Sequence, residues 1–99
     1  MKKIEIDIVI TRHQGLVDYL RQEGIIDENT QIVAHATPEL IKDKNVLGVL
    51  PHSLSCLCRT FTEIPLNLPQ ELRGKELSSN DVRKYAGKPV TYVVFKLEK

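Results

Sequence analysis

Ile4, Ile6, Ile8 and Ile10 alternate with Glu5, Asp7 and Val9 near the start of the chain. This period-two run of β-branched residues predicts a first strand, Ile4–Ile10, whose second half turns fully apolar. After the polar turn Thr11-Arg12-His13-Gln14-Gly15, Leu16, Val17 and Leu20 recur at helical spacing, and Gly24 falls where a helix C′ glycine belongs. A strand handed straight to a helix opens an α/β unit.

The rest of the chain repeats this alternation. Gln31–His35 is a short second strand, and Thr37-Pro38-Glu39 offers an N-cap and a proline at the first helical position for a brief helical turn. Val46–Leu50 is a continuous apolar run bounded by Asp43-Lys44-Asn45 and Pro51, as expected for a strand covered on both faces at the sheet centre. Residues 53–60 suit a second helix. Residues 61–68 alternate again, with Pro65 moving that strand toward an edge. Ser78-Ser79-Asn80-Asp81 is a variant capping box, Gly87 can stop its helix, and Val90–Leu97 is a final β-rich strand. This pattern predicts a single α/β domain over residues 1–99: a small Rossmann-like, mostly parallel sheet of about five strands with helices on both faces.

Composition bounds the function. The 99 residues carry 14 Lys plus Arg against 13 Asp plus Glu, a net charge of +1. That balance excludes a binder of long nucleic acid, which needs many phosphate-neutralising cations. The N-terminal residues are charged from the outset and no apolar stretch approaches 18 residues, so neither a leader nor a membrane association is expected and the cytoplasm is the expected location. A domain of this length has a radius of gyration of roughly 13 Å and one modest core.

In open α/β sheets, ligands bind outside the carboxyl ends of the strands. His13 follows the first strand, His35 ends the second and His52 follows the third, so all three fall on that edge. His35 and His52 read equally as polar residues where loops begin. Thr11-Arg12-His13-Gln14-Gly15 joins a strand to a helix N-terminus, where free amides and the helix dipole attract an anion. The same segment also reads as a capping loop with incidental charge. Arg73-Gly74-Lys75-Glu76-Leu77 sets two cations around a glycine and suits a phosphate-binding loop or a solvated turn; Arg73 joins the edge if residues 61–68 run parallel.

Cys56 and Cys58 are too closely spaced for an ordinary disulfide and lack the C-x₂-C spacing of common zinc sites. They are expected to pack as small apolar groups. No carboxylates of the kind that hold catalytic divalent ions fall at the predicted strand ends, so no metal or cofactor is expected.

Thr11-Arg12-His13-x-Gly15, Gly48-x-Leu50-Pro51 and Leu68-Pro69-x-Glu71-x-Arg73-Gly74-x-Glu76-Leu77-Ser78 occur in this order in the CRISPR-associated Csx family numbered sixteen, which the chain resembles over nearly its whole length. The resemblance implies a small homodimeric ring nuclease of type III CRISPR defence that degrades cyclic tetra-adenylate. It also implies a fold like the Rossmann-like, CARF-like domain that senses such messengers. The chain departs from the family pattern in two places: Tyr19 stands where tryptophan is usual, and Lys44-Asn45 where Gly-Asp is usual. No role is carried to Asn45.

Together these readings assign Arg12, His13 and Arg73 to catalysis. They assign Thr11, Gln14, Gly15, His35, Gly48, Pro51, His52, Gly74, Lys75 and Glu76 to binding the cyclic oligoadenylate. The expected reaction is metal-independent attack of a ribose 2′-OH on its own phosphate. The alternative is a non-catalytic sponge or sensor module with the same fold and the same edge.

Overall fold

In the computed structural model, which describes residues 4–98, strand and helix alternate as the hydrophobic pattern requires. The elements are β1 (Ile8–Ile10), α1 (Gln14–Gln22), β2 (Gln31–Val33), α2 (Pro38–Ile41), β3 (Asn45–Gly48), α3 (His52–Ser55), β4 (Thr60–Glu63), a 3₁₀ turn (Gln70–Leu72), α4 (Ser79–Tyr85) and β5 (Val90–Tyr92). They build one five-stranded sheet in the order β2-β1-β3-β4-β5. β1 to β4 are parallel and β5 runs antiparallel to β4. The fold is therefore a small, mostly parallel Rossmann-like α/β sheet with β3 at its centre, and the radius of gyration is 13.6 Å.

Each face of the sheet is covered by helices. Val9 and Leu47 point to one side, where Val17 and Leu20 of α1 meet them together with Ile6 and Ile26. Ile8, Ile10 and Val46 point to the other, against Ile41 of α2 and Cys58 beyond α3. Ile8, Val9, Leu20, Ile41, Val46 and Val82 are completely buried. Burying one such side chain contributes about 1.5–3 kcal/mol, so this double core is the main stabilising term.

Local signals in the sequence set several element ends. α1 closes in a Schellman motif: the Gly24 amide donates to the Arg21 carbonyl (3.1 Å) and the Ile25 amide to that of Leu20 (2.9 Å), with Gly24 at φ +70°. At α4 the Ser78 hydroxyl accepts from the Asp81 amide and the Asp81 carboxylate accepts from the Ser78 amide, both at 3.1 Å, completing the capping box. Arg83 of α4 then bridges to α1. Its guanidinium donates to Glu23 and Gln22 and lies 5.2 Å from the centre of the Tyr19 ring.

Other expectations are corrected. β1 covers only the second half of the isoleucine run: Ile6 joins the α1 face and not the face of Ile8 and Ile10, while Ile4 is exposed. The cause lies in Asn45. Its amide donates to the Asp7 carboxylate (2.8 Å), its Nδ2 to the Glu5 carbonyl (3.0 Å), and its Oδ1 accepts from Thr60 (2.8 Å), so this residue pins the chain where regular alternation stops.

The apolar run Val46–Leu50 overshoots β3, which ends at Gly48 and leaves Val49 87% exposed. The expected helix over residues 53–60 shrinks to His52–Ser55, because Thr60 is already in β4. β4 is interior, not an edge, and stops at Glu63, so Pro65 lies beyond the ladder and removes no sheet hydrogen bond. The last strand is β5, which ends at Tyr92; Val93, Phe95 and Leu97 continue as exposed chain. Gly87 is not a left-handed stop: Ala86 leaves α4 extended, and the Gly87 amide donates to the Pro65 carbonyl (2.7 Å).

Candidate functional site

Because β1, β2 and β3 are parallel, His13, His35 and His52 all lie past the carboxyl ends of their strands, on one edge of the sheet. β4 is parallel to β3, so the segment carrying Arg73 also departs from that edge. This is the edge at which open α/β sheets take their ligands.

Register brings two of these residues together. Ile10 is paired with Val33, and Arg12 and His35 each stand two positions further on. The Thr11 amide prolongs the ladder by donating to the Val33 carbonyl at 2.9 Å. Residues level with each other on adjacent strands are about 4.8 Å apart, within easy reach for an arginine. Arg12 Nη2 accordingly lies 3.4 Å from Nδ1 and 3.5 Å from Nε2 of His35.

His13 is the N-cap of α1, with extended backbone and an exposed ring. The Thr11 hydroxyl accepts from the His13 amide at 3.1 Å, tying the turn to itself. No side chain caps α1, and its first turn holds no acidic residue. The amide donors there face the edge with the positive end of the helix dipole behind them, which favours an anion. Gln14 is turned along the helix, donating to Asp18 at 2.9 Å.

The two glycines of the edge are explained by packing. A Cβ on Gly15 would stand 2.0 Å from the Leu77 carbonyl oxygen, so only glycine lets the chain after Arg73-Gly74-Lys75-Glu76 dock on the start of α1. A Cβ on Gly48 would stand 2.6 Å from the Ile10 carbonyl oxygen, where β3 passes β1 at the same edge. Gly74 has φ +79° and open space around it, so it is a left-handed turn residue. Arg73, Lys75 and Glu76 are exposed beside it. Pro51 is the N-cap of α3 and His52 its first residue.

His52 also walls two clefts beside the edge. One, of about 450 Å³, is completed by Ser53, Cys56, Val94, Phe95 and Lys96. The other, of about 250 Å³, is bounded by Leu50, Phe61, Glu63, Tyr92 and Val94 among others. The C-terminal segment as a wall is missing from the sequence reading, which absorbed those residues into a strand. Their signal was the run of apolar residues past the length that β4 can pair.

Among the described residues no group of three His, Cys, Asp or Glu side chains is gathered to hold a metal ion. Cys58 is buried, and burial pushes its thiol above the ordinary value, with Cys56 adding to the effect. No helix of the described residues is long and apolar enough to cross a membrane.

The arrangement can hold an anion. It offers a guanidinium in contact with a histidine, a second histidine at a helix N-terminus, and a loop carrying Arg73 and Lys75 docked on that helix through Gly15. No curated protein and no solved structure gives a significant match. A family model described as "Putative CRISPR-associated protein (Cas_VVA1548)" matches residues 8–95, from β1 past β5. The chain belongs to this CRISPR-associated family.

Proposed function

We propose that the protein is a ring nuclease that binds and cleaves cyclic tetra-adenylate, ending a type III CRISPR signal. The observation that carries this reading is the gathering of Arg12, His13 and His35 at one strand edge, with the Arg73 loop following β4 there. The motif resemblance to the Csx family numbered sixteen and membership of a CRISPR-associated family support the choice of ligand. A cyclic oligonucleotide carries few phosphates, so a chain of net charge +1 can meet it with local cations.

A homodimer would supply this edge twice, and two-fold symmetry suits a ring of four identical nucleotides. In each cut, a ribose 2′-oxygen attacks its own phosphorus in line and the bond to the 5′-oxygen breaks. His13 moves one of the two protons, accepting that of the 2′-hydroxyl or giving one to the departing 5′-oxygen, and water takes or supplies the other. Arg12 and Arg73 stabilise charge on the phosphorane. The products are linear di- or tetra-adenylates ending in a cyclic 2′,3′-phosphate.

Incubation of the purified protein with cyclic tetra-adenylate in EDTA, followed by mass spectrometry, tests this. Linear products with a cyclic 2′,3′-phosphate are expected. An intact ring retained on the protein would establish the sponge instead, and absence of binding would reject both.

A further inference from the structure

We propose that His35 is a positioning residue: in its neutral form it holds the Arg12 guanidinium at the strand edge, and on protonation it releases it. The proposal rests on the reading of Arg12 as a phosphate contact. It assigns His35 a role exerted through Arg12 and not through direct touch of the ligand.

Arginine has among the largest rotamer freedoms of any side chain, and Arg12 is exposed on a turn. An unheld guanidinium there would sample many positions, most of them away from an anion at the edge. His35 removes that freedom. Arg12 Nη2 sits nearly equidistant from both ring nitrogens, at 3.4 and 3.5 Å, so it lies against the face of the ring and not along either in-plane lone pair, a stacking contact open to either neutral tautomer. The parallel register sets this meeting, since each residue stands two places beyond the Ile10–Val33 pair.

The chemistry of the pair is one-sided. A guanidinium only donates, neutral imidazole has one acceptor nitrogen, and imidazolium has none and carries like charge. Protonation of His35 therefore turns a stacking contact with a neutral ring into a repulsion between like charges. From the β1–α1 turn the group facing His35 is Arg12, with His13 next in sequence. α2, which follows His35, carries Glu39, and Lys42 caps its end; neither bonds to the ring. Among the described residues the ion pair found is Arg83–Glu23, so no carboxylate is paired with either Arg12 or His35.

Two measurements test the assignment. The first is ¹⁵N relaxation of the Arg12 guanidinium without ligand in wild type, His35→Ala and His35→Phe, at about pH 7.5 and about pH 5.5, a range in which histidine side chains in general can change charge. Arg12 should be restrained in wild type at the higher pH and mobile at the lower. It should be mobile at both in His35→Ala and restrained at both in His35→Phe, which keeps a ring face that does not titrate. Equal mobility in wild type and His35→Ala at the higher pH would overturn the proposal.

The second is affinity for cyclic tetra-adenylate. His35→Ala should weaken it about 3- to 10-fold, the range for losing one restrained charged contact, with no further loss in an Arg12→Ala background. A full additional loss in that background would make His35 a direct ligand contact and overturn the proposal. If wild type fails to bind cyclic tetra-adenylate, the ring-nuclease reading fails, and the ligand-free relaxation experiment still decides the role of His35.

Discussion

Gly15 lies against the carbonyl group of Leu77 so closely that a Cβ would meet the oxygen at 2.0 Å and the carbonyl carbons of Leu77 and Ser78 at 2.8 Å. All three atoms are backbone, so no side-chain rotation can relieve the overlap. Gly15→Ala should destabilise the fold by about 1–3 kcal/mol through overpacking. It should also lower ligand affinity, because the Arg73 loop must move off α1. Gly24 provides the comparison: nothing lies within 4 Å of its Cβ position, and Gly24→Ala should cost only the left-handed strain of about 1–2 kcal/mol, with affinity unchanged. Chemical denaturation and a binding titration on both variants separate the two effects.

The reciprocal bonds between Ser78 and Asp81 follow directly after Leu77, so the cap holds both α4 and the docked loop. Ser78→Ala should cost about 1 kcal/mol in urea denaturation, and Ser78→Asp, which keeps an acceptor oxygen, should recover most of it. Equal losses in the two variants would show that the hydroxyl itself is not the cap.

His13→Ala should slow cleavage of cyclic tetra-adenylate by at least about 10² while leaving affinity largely intact, as expected for a proton-transfer residue. Near-normal turnover would remove His13 from the mechanism. Arg73→Ala should act on both quantities, weakening binding roughly tenfold through loss of a charged hydrogen bond and slowing cleavage because the phosphorane loses a stabilising charge. Unchanged affinity would return that loop to the solvated surface.

Burial raises the Cys58 thiol above 9.0, and Cys56 beside it reinforces the shift. A group whose value is raised in the folded state holds its proton more tightly there than in the unfolded chain. Its contribution to stability is therefore intact below about pH 9 and is lost as pH rises through the raised value. Denaturation at neutral and alkaline pH should show the wild type losing more stability than Cys58→Ala across that rise. A constant difference between them would contradict the shift. Under native conditions iodoacetamide should modify half-buried Cys56 before Cys58.

Much of this was legible in the sequence, and the reasons are local. Gly24, Pro38 and the Ser78/Asp81 pair report geometry within a few residues, and each stands where its chemistry demands. The placement of the three histidines needed only one further premise, that consecutive strands are parallel. What escaped was decided by distant partners. The first half of the isoleucine run stays out of the strand, where Asn45, 38 residues after Asp7, bonds to it. β4 became interior because β5 pairs with it from about 30 residues later, where Pro65 had pointed to an edge. Val49 looks like core in its apolar run, yet Gly48 must give way to the Ile10 carbonyl, and the next side chain is left in water. The Arg12–His35 contact was encoded as well, since both residues lie equally far past a strand end, but reading it required the register.

The reversed direction of β5 has a practical result. The chain enters β1 and leaves β5 on the same side of the sheet, away from the edge where Arg12, His13 and His35 stand. A tether, fluorophore or fusion partner joined ahead of β1 would therefore approach from behind the site, whereas the chain after β5 lies beside α3, where Val94, Phe95 and Lys96 wall a cleft with His52. Surface immobilisation through a handle ahead of β1 should present the histidine-bearing edge outward to a dissolved ligand.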